Sequence, residues 1–309
     1  MTAATVTPRS RRRGVLSAAR DVAVRFTART DGVVGLAILL VFAILAIAPQ
    51  LFVGPLETAV TATGTSLEPP SLAHLLGTDE LGRDILNLTV HGARISMTIG
   101  LMATLITIAL GAGIGIISGY LGGKADVLLM WLTDVFLVLP NFVLAIALAP
   151  ILLDIIGAQA ELFGIRATLL VIVVVIGVTS WATTARIIRS QVLSLKERMF
   201  VDRARVIGTG PGRIMRRHIL PNVLSPLIVA TMLSVGNIIL LESALSFLGL
   251  GVQPPLPSWG NMLTAALEQM TQAPAHAIWP GAMIFATVLA VNLLGDGLQA
   301  ALDPRGERR

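Results

Sequence analysis

Six long apolar stretches constrain this chain more than any other feature. They fall near residues 33–53, 95–118, 127–151, 167–184, 224–241 and 278–302. A bilayer core takes about 20 predominantly apolar residues as one helix. In lipid the backbone must satisfy its own hydrogen bonds, so stretches of this kind become helices. Only 13% of the 309 residues are charged, against roughly 25% in soluble domains. The expected fold is an all-α integral membrane protein with six transmembrane helices. Pro140 and Pro150 predict a kink within the third span. The first stretch reads as a retained span, because some thirty residues precede it and the Ala46-Ile47-Ala48 triplet runs straight into Pro49.

Orientation follows from the basic residues. With the N-terminus inside, twenty of the 23 Lys and Arg fall on inner segments, leaving only Arg83, Arg94 and Arg166 outside. The positive-inside rule demands such an excess, so both termini are expected in the cytoplasm. The chain then divides into a basic inner segment 1–32, a first span 33–53 and an outer segment 54–92. A five-helix core 93–302 follows, carrying an inner loop 186–222, and an inner tail 303–309 ends the chain. The run Arg11, Arg12, Arg13 beside a span suits anionic lipid heads and topology rather than nucleic acid. A multi-pass protein of a bacterial cytoplasmic (inner) membrane is expected.

Several chemistries are missing. With no cysteine there is no thiol or disulfide chemistry. The nearest approach to a phosphate-binding loop is Gly122-Gly123-Lys124, which is followed by Ala125 rather than a magnesium-binding hydroxyl. No catalytic residue, no metal site and no cofactor of the chain's own are expected. His74, His91 and His276 fall on the outside and read as solvated loop residues. Gly111, Gly115 and Gly119 recur every fourth residue in the second span, forming a smooth stripe for close helix packing. Asp134, Glu242 and Asp296 lie in or near spans, where a charge costs about 2.5–3.5 kcal/mol on insertion scales. A proton-coupled carrier would need such groups. The structural alternative gives Asp134 a hydroxyl or amide on a neighbouring helix. It places Glu242 and Asp296 at the interface, as helix caps or partners of an Arg.

The inner loop carries the strongest local pattern. It is helix-prone from Leu195 to Ile207, and Phe200, Ala204 and Ile207 form an i, i+4, i+7 apolar stripe amid Arg and Asp. The run Gly208-Thr209-Gly210-Pro211-Gly212 stops that helix, and Pro211 suits the first turn of the next. The pattern leaves two readings open: a helix lying on the membrane surface, or one laid into a groove on a soluble partner.

This loop resembles the coupling loop of ABC importer permeases, in which Glu-Ala-Ala is followed by three residues, Gly, nine residues and Ile-x-Leu-Pro. Asp202, Arg203 and Ala204 stand at the triplet, Gly208 at the glycine, and His218, Leu220 and Pro221 at the end. All spacings hold. Asp202 keeps the charge, while Arg203 and His218 depart from the small and the aliphatic residue. LGTDELGRDILNLTVHGARISMTIGL, LESALSFLGLGVQPPLPSWGNML and NLLGDGLQAALDPR are similar to stretches of the dipeptide/oligopeptide (DppC/OppC-type) permeases. The resemblance implies the type I importer permease fold and a subunit without ATPase motifs. It also implies a second homologous permease, two ATP-binding subunits holding ATP and Mg on the cytoplasmic side, and an extracytoplasmic substrate-binding protein. The implied cargo is di- or oligopeptides, with nickel, glutathione or another small solute as alternatives.

Overall fold

The computed structural model describes residues 15–157, 160–162 and 165–302. The arginine run at 11–13 and the tail 303–309 lie outside the described residues. In chain order the elements are α1 (Val15–Thr27), α2 (Thr30–Ile47), α3 (Gln50–Val53), α4 (Ile85–Leu121), α5 (Gly123–Val138) and α6 (Asn141–Ile156). A two-residue antiparallel pair, β1 (Glu161–Leu162) with β2 (Ile165–Arg166), leads into α7 (Ala167–Lys196) and α8 (Met199–Val206). Then come α9 (Pro211–Ile214), a π-helical turn Met215–Ile219, α10 (Leu220–Phe247), α11 (Trp259–Glu268), a 3-10 turn Pro274–Ala277 and α12 (Ile278–Leu302).

Among the described residues five helices are long and apolar enough to cross a membrane, or six if one bent pair is a single span. That pair is α5 and α6. In place of the kinked span expected over 127–151, the two helices meet at 92°. Pro140 causes the break: it cannot donate a backbone hydrogen bond, and it drives Leu139 out of helical geometry, to φ −84° and ψ 126°. Pro150 sits inside α6 without ending it.

Two of the long helices run beyond the expected apolar stretches. Asp84 starts α4 ten residues early, accepting hydrogen bonds from the Leu86 and Asn87 amides as an N-cap. At the far end α7 continues to Lys196. The α4–α7 pair is the most extensive in the molecule, and the glycine stripe explains it. A Cβ on Gly111 would come within 2.6 Å of the Thr184 Cβ, one on Gly115 within 2.6 Å of the Ala185 carbonyl, and one on Gly119 within 2.9 Å of the Val192 Cβ. Backbones this close gain dispersion contacts that substitute for the hydrophobic effect lost in lipid.

The segments 54–84 and 248–277 fold back on the helices. His74, His91 and His276 are buried rather than solvated. His74 Nδ1 meets Asp84 Oδ2 at 3.2 Å, His91 Nε2 meets the Gly54 carbonyl at 3.0 Å, and His276 Nδ1 meets Gln269 Oε1 at 3.3 Å. Among the described residues no cluster of His, Asp or Glu could hold a metal ion.

Candidate functional site

The loop between α7 and α10 is a short helix held rigidly against the ends of two long ones. The helix expected from Leu195 is interrupted at Glu197 and Arg198, where α7 ends and α8 begins. The turn lets α8 leave the axis of α7. Val201 and Ala204 of α8 are buried with Ile188 and Val192 of α7, Ile214 of α9, and Ile219 and Val223 beyond it. Force applied to α8 therefore reaches α7 and α10 through close-packed side chains, and packed interiors transmit strain.

The expected stripe Phe200, Ala204, Ile207 does not form one face. Ala204 points inward, while Phe200 is half exposed and Ile207 is exposed. Val201, absent from that pattern, is the second inward anchor. Met199, Val206 and Ile207 present apolar surface outward with Phe200. The signal for this division was in the sequence. Val201 and Ala204 are three apart, and Phe200 and Ile207 seven apart, so an eight-residue helix carries two apolar edges. Phe200 lies 6.3 Å from the His218 ring, tying α8 to the π-helical turn.

Gly208 ends α8 at φ +80°. The Thr209 amide donates to the Ala204 carbonyl at 3.0 Å and the Gly208 amide to the Arg205 carbonyl at 2.9 Å, the pair of bonds that closes a Schellman motif. Pro211 is the first residue of α9, and Leu220 and Pro221 open α10. Charged side chains share the loop with this apolar edge. Asp202 pairs with Arg205 at 3.1 Å, Arg203 is exposed, and Arg213, Arg216 and Arg217 line a cleft of their own. The Arg205 guanidinium lies 5.6 Å from the Tyr120 ring centroid. Its pKa is raised, first by a hydrogen bond with the Tyr120 side chain, so it stays charged.

The three acids singled out by sequence have separate environments. Asp134 is held not by a hydroxyl or amide but by Arg186 across α5 and α7, at 2.5 Å. Asp126 and Arg189 repeat the device nearby with two bonds of 2.6 Å. Glu242 is neither an interfacial cap nor an Arg partner: it is fully buried. Its carboxyl accepts from Ser246 Oγ at 2.8 Å and Ser243 Oγ at 3.4 Å, and the Ser96 and Ser258 side chains lie near it. Asp296 is exposed on α12 beside Gly297, whose Cα side packs on Gly32 of α2. The structure does not bring these acids together as a relay.

Among the described residues, long apolar helices with a loop helix anchored against two of them define a membrane protein. The profile of the binding-protein-dependent transport system inner membrane components matches residues 111–308. The chain belongs to that family of inner-membrane permeases. It is 38% identical over 273 residues to the dipeptide transport system permease protein DppC of Alkalihalophilus pseudofirmus, covering 88% of this chain and 85% of the relative. It is 35% identical over 290 residues to the oligopeptide transport system permease protein OppC of Bacillus subtilis, covering 94% and 90%. It is also 40% identical over 238 residues to the glutathione transport system permease protein GsiD of Pectobacterium atrosepticum, covering 77% and 75%. A chain of the inward-facing MetNI methionine ABC transporter shares its fold, with a TM-score of 0.56 at 16% identity over 70% of this chain and 97% of that one.

Proposed function

We propose that this chain is one of two membrane halves of an ATP-driven importer for di- and oligopeptides. It crosses the membrane six times, counting α5 and α6 as one broken span, with both termini in the cytoplasm. The segments 1–32, 33–53, 54–92, 93–302 and 303–309 are its functional divisions. Its partners are a second homologous permease, two ATP-binding subunits that hold ATP and Mg, and an extracytoplasmic binding protein that delivers cargo. Glutathione, named in one relative, is itself a peptide and falls in the same class.

One observation carries the coupling role. The exposed apolar edge of α8, which also carries Arg203 and Arg205, sits on a helix whose other side is locked into α7 and α10. An ATP-binding subunit gripping Phe200 and Ile207, with Asp202 and Arg203 at the rim, would move the two long helices as it closes. Leu220, Pro221 and His218 hold the far end of the lever. A proton-coupled carrier has less support, since Asp134 is paired and Glu242 is enclosed among serines.

Reconstitution tests the assignment. The purified chain alone should hydrolyse no ATP, and hydrolysis should appear when the ATP-binding subunits and second permease are added. Robust hydrolysis by the isolated chain would overturn it. Topology is checked separately. Because the native chain has no cysteine, a Thr209→Cys variant reports on its own position, and an impermeant thiol reagent should reach it only from the cytoplasmic side. Labelling from outside would reverse the orientation.

A further inference from the structure

A second feature lies deep within the apolar part of the bundle. Helices α6, α7 and α10 enclose an open cleft of ≈ 1250 Å³, counted to its mouth. Its walls carry Asn141, Ser180, Thr183, Ser234 and Asn237, and no charged residue. Asn141, Thr183 and Asn237 are exposed at the surface of the chain. Their side chains make no hydrogen bond among the described residues. Asn237 lies ten residues before the end of α10, about 15 Å along the axis, which is half of a hydrocarbon core about 30 Å thick. Amides without partners at that depth are not tolerated against lipid; such groups face protein or a water-filled cavity.

We propose that this cleft is the chain's share of the solute path, and that it carries amide-bearing, peptide-like solutes. The proposal rests on the importer reading above and adds where the solute travels. The two carboxamides and the Ser180 and Thr183 hydroxyls can each donate and accept, which is what peptide N–H and C=O groups need when they leave water. A fixed charge would hold one solute terminus and repel the other, whereas conduction needs binding weak enough to release.

The test uses the assembled transporter in proteoliposomes, with single variants Asn141→Cys, Thr183→Cys and Asn237→Cys. Leu101→Cys, exposed and apolar on α4, is the lipid-facing control. A small charged methanethiosulfonate should modify the cleft cysteines about tenfold faster or more than the control, because a thiol in lipid does not ionise. Binding protein loaded with a defined dipeptide mixture, plus ATP, should slow that reaction. Asn237→Ser should keep dipeptide uptake, and Asn237→Leu should lose most of it with the ATP-binding subunits still attached. Reaction as slow as Leu101→Cys would mean a dry helix contact and would overturn the path. Fast reaction that dipeptides leave unchanged, in vesicles that do take up dipeptides, would overturn it as the route of cargo. Fast reaction with no dipeptide uptake by the unmodified chain would instead remove the peptide cargo and leave the aqueous path standing.

Discussion

Glu242→Ala is expected to loosen the segment 249–277 between α10 and α12 and lower the thermal midpoint of the chain in detergent more than any other single truncation of a polar side chain. The carboxyl is the hub of a buried network. Ser246 donates to it and accepts from the Val252 amide at 3.1 Å. Ser96 and Ser258 lie near it, accepting from the Trp259 amide at 3.2 Å and the Asn261 amide at 3.3 Å. Ser246 thus links the carboxyl to the backbone of the loop, while Ser96 and Ser258 hold the start of α11 beside it, so the carboxyl sits where α10, α4 and α11 meet. Trp259 at the start of α11 is fully buried, and its indole donates to the Thr89 carbonyl of α4 at 3.1 Å. Removing the carboxyl leaves the Ser246 and Ser243 hydroxyls without this acceptor, at about 1–3 kcal/mol for each that finds no substitute. Glu242→Gln keeps one carbonyl acceptor and should lose less. Hydrogen exchange over 249–277 reads the effect locally, and fluorescence unfolding reads it globally. Exchange and midpoint unchanged in the Ala variant would show that the network holds nothing.

The sequence made the helical membrane class legible because lipid imposes a single length rule on any spanning segment. The Gly111, Gly115, Gly119 stripe was legible for a similar reason: a fourfold spacing on a helix has one geometric meaning, and those glycines do lie against α7. What local pattern missed depended on distant partners. The 92° break before Asn141 was read as a kink, because proline strength depends on how neighbouring helices receive the freed backbone. Asp134 looked immersed among apolar residues until Arg186, fifty-two positions away, came across from α7. The outer histidines were read as solvated because nothing in a loop's composition shows that it folds back on Asp84, Gly54 and Gln269. The polar side chains facing the cleft between α6, α7 and α10 are spread over almost a hundred residues, so no window of sequence displays them as one surface.

Gly208→Val is expected to abolish uptake while leaving the chain inserted and stable. Gly208 adopts φ +80°, and a Cβ there would meet nothing within 4 Å, so the cost is conformational rather than steric. A left-handed conformation costs an L-residue about 1–2 kcal/mol, and a β-branched one tolerates it least. The two Schellman bonds from Gly208 and Thr209 would be lost or strained, and the exposed tip of Val206 and Ile207 would no longer hold one orientation. Val201 and Ala204 remain buried, so the bundle itself should not notice. Phe200→Ala tests the same surface without touching the backbone. If Phe200 anchors a partner, its truncation should cost about 2 kcal/mol, or roughly 30-fold in docking affinity. The measurement is co-purification of the ATP-binding subunits together with dipeptide uptake in vesicles, at matched expression. A helix that merely lies on lipid predicts the opposite split, with weaker membrane association of the loop and normal co-purification. If both variants dock and transport as the unmodified chain does, α8 is not the coupling element, and the role proposed for Phe200, Asp202, Arg203 and Ile207 falls with it.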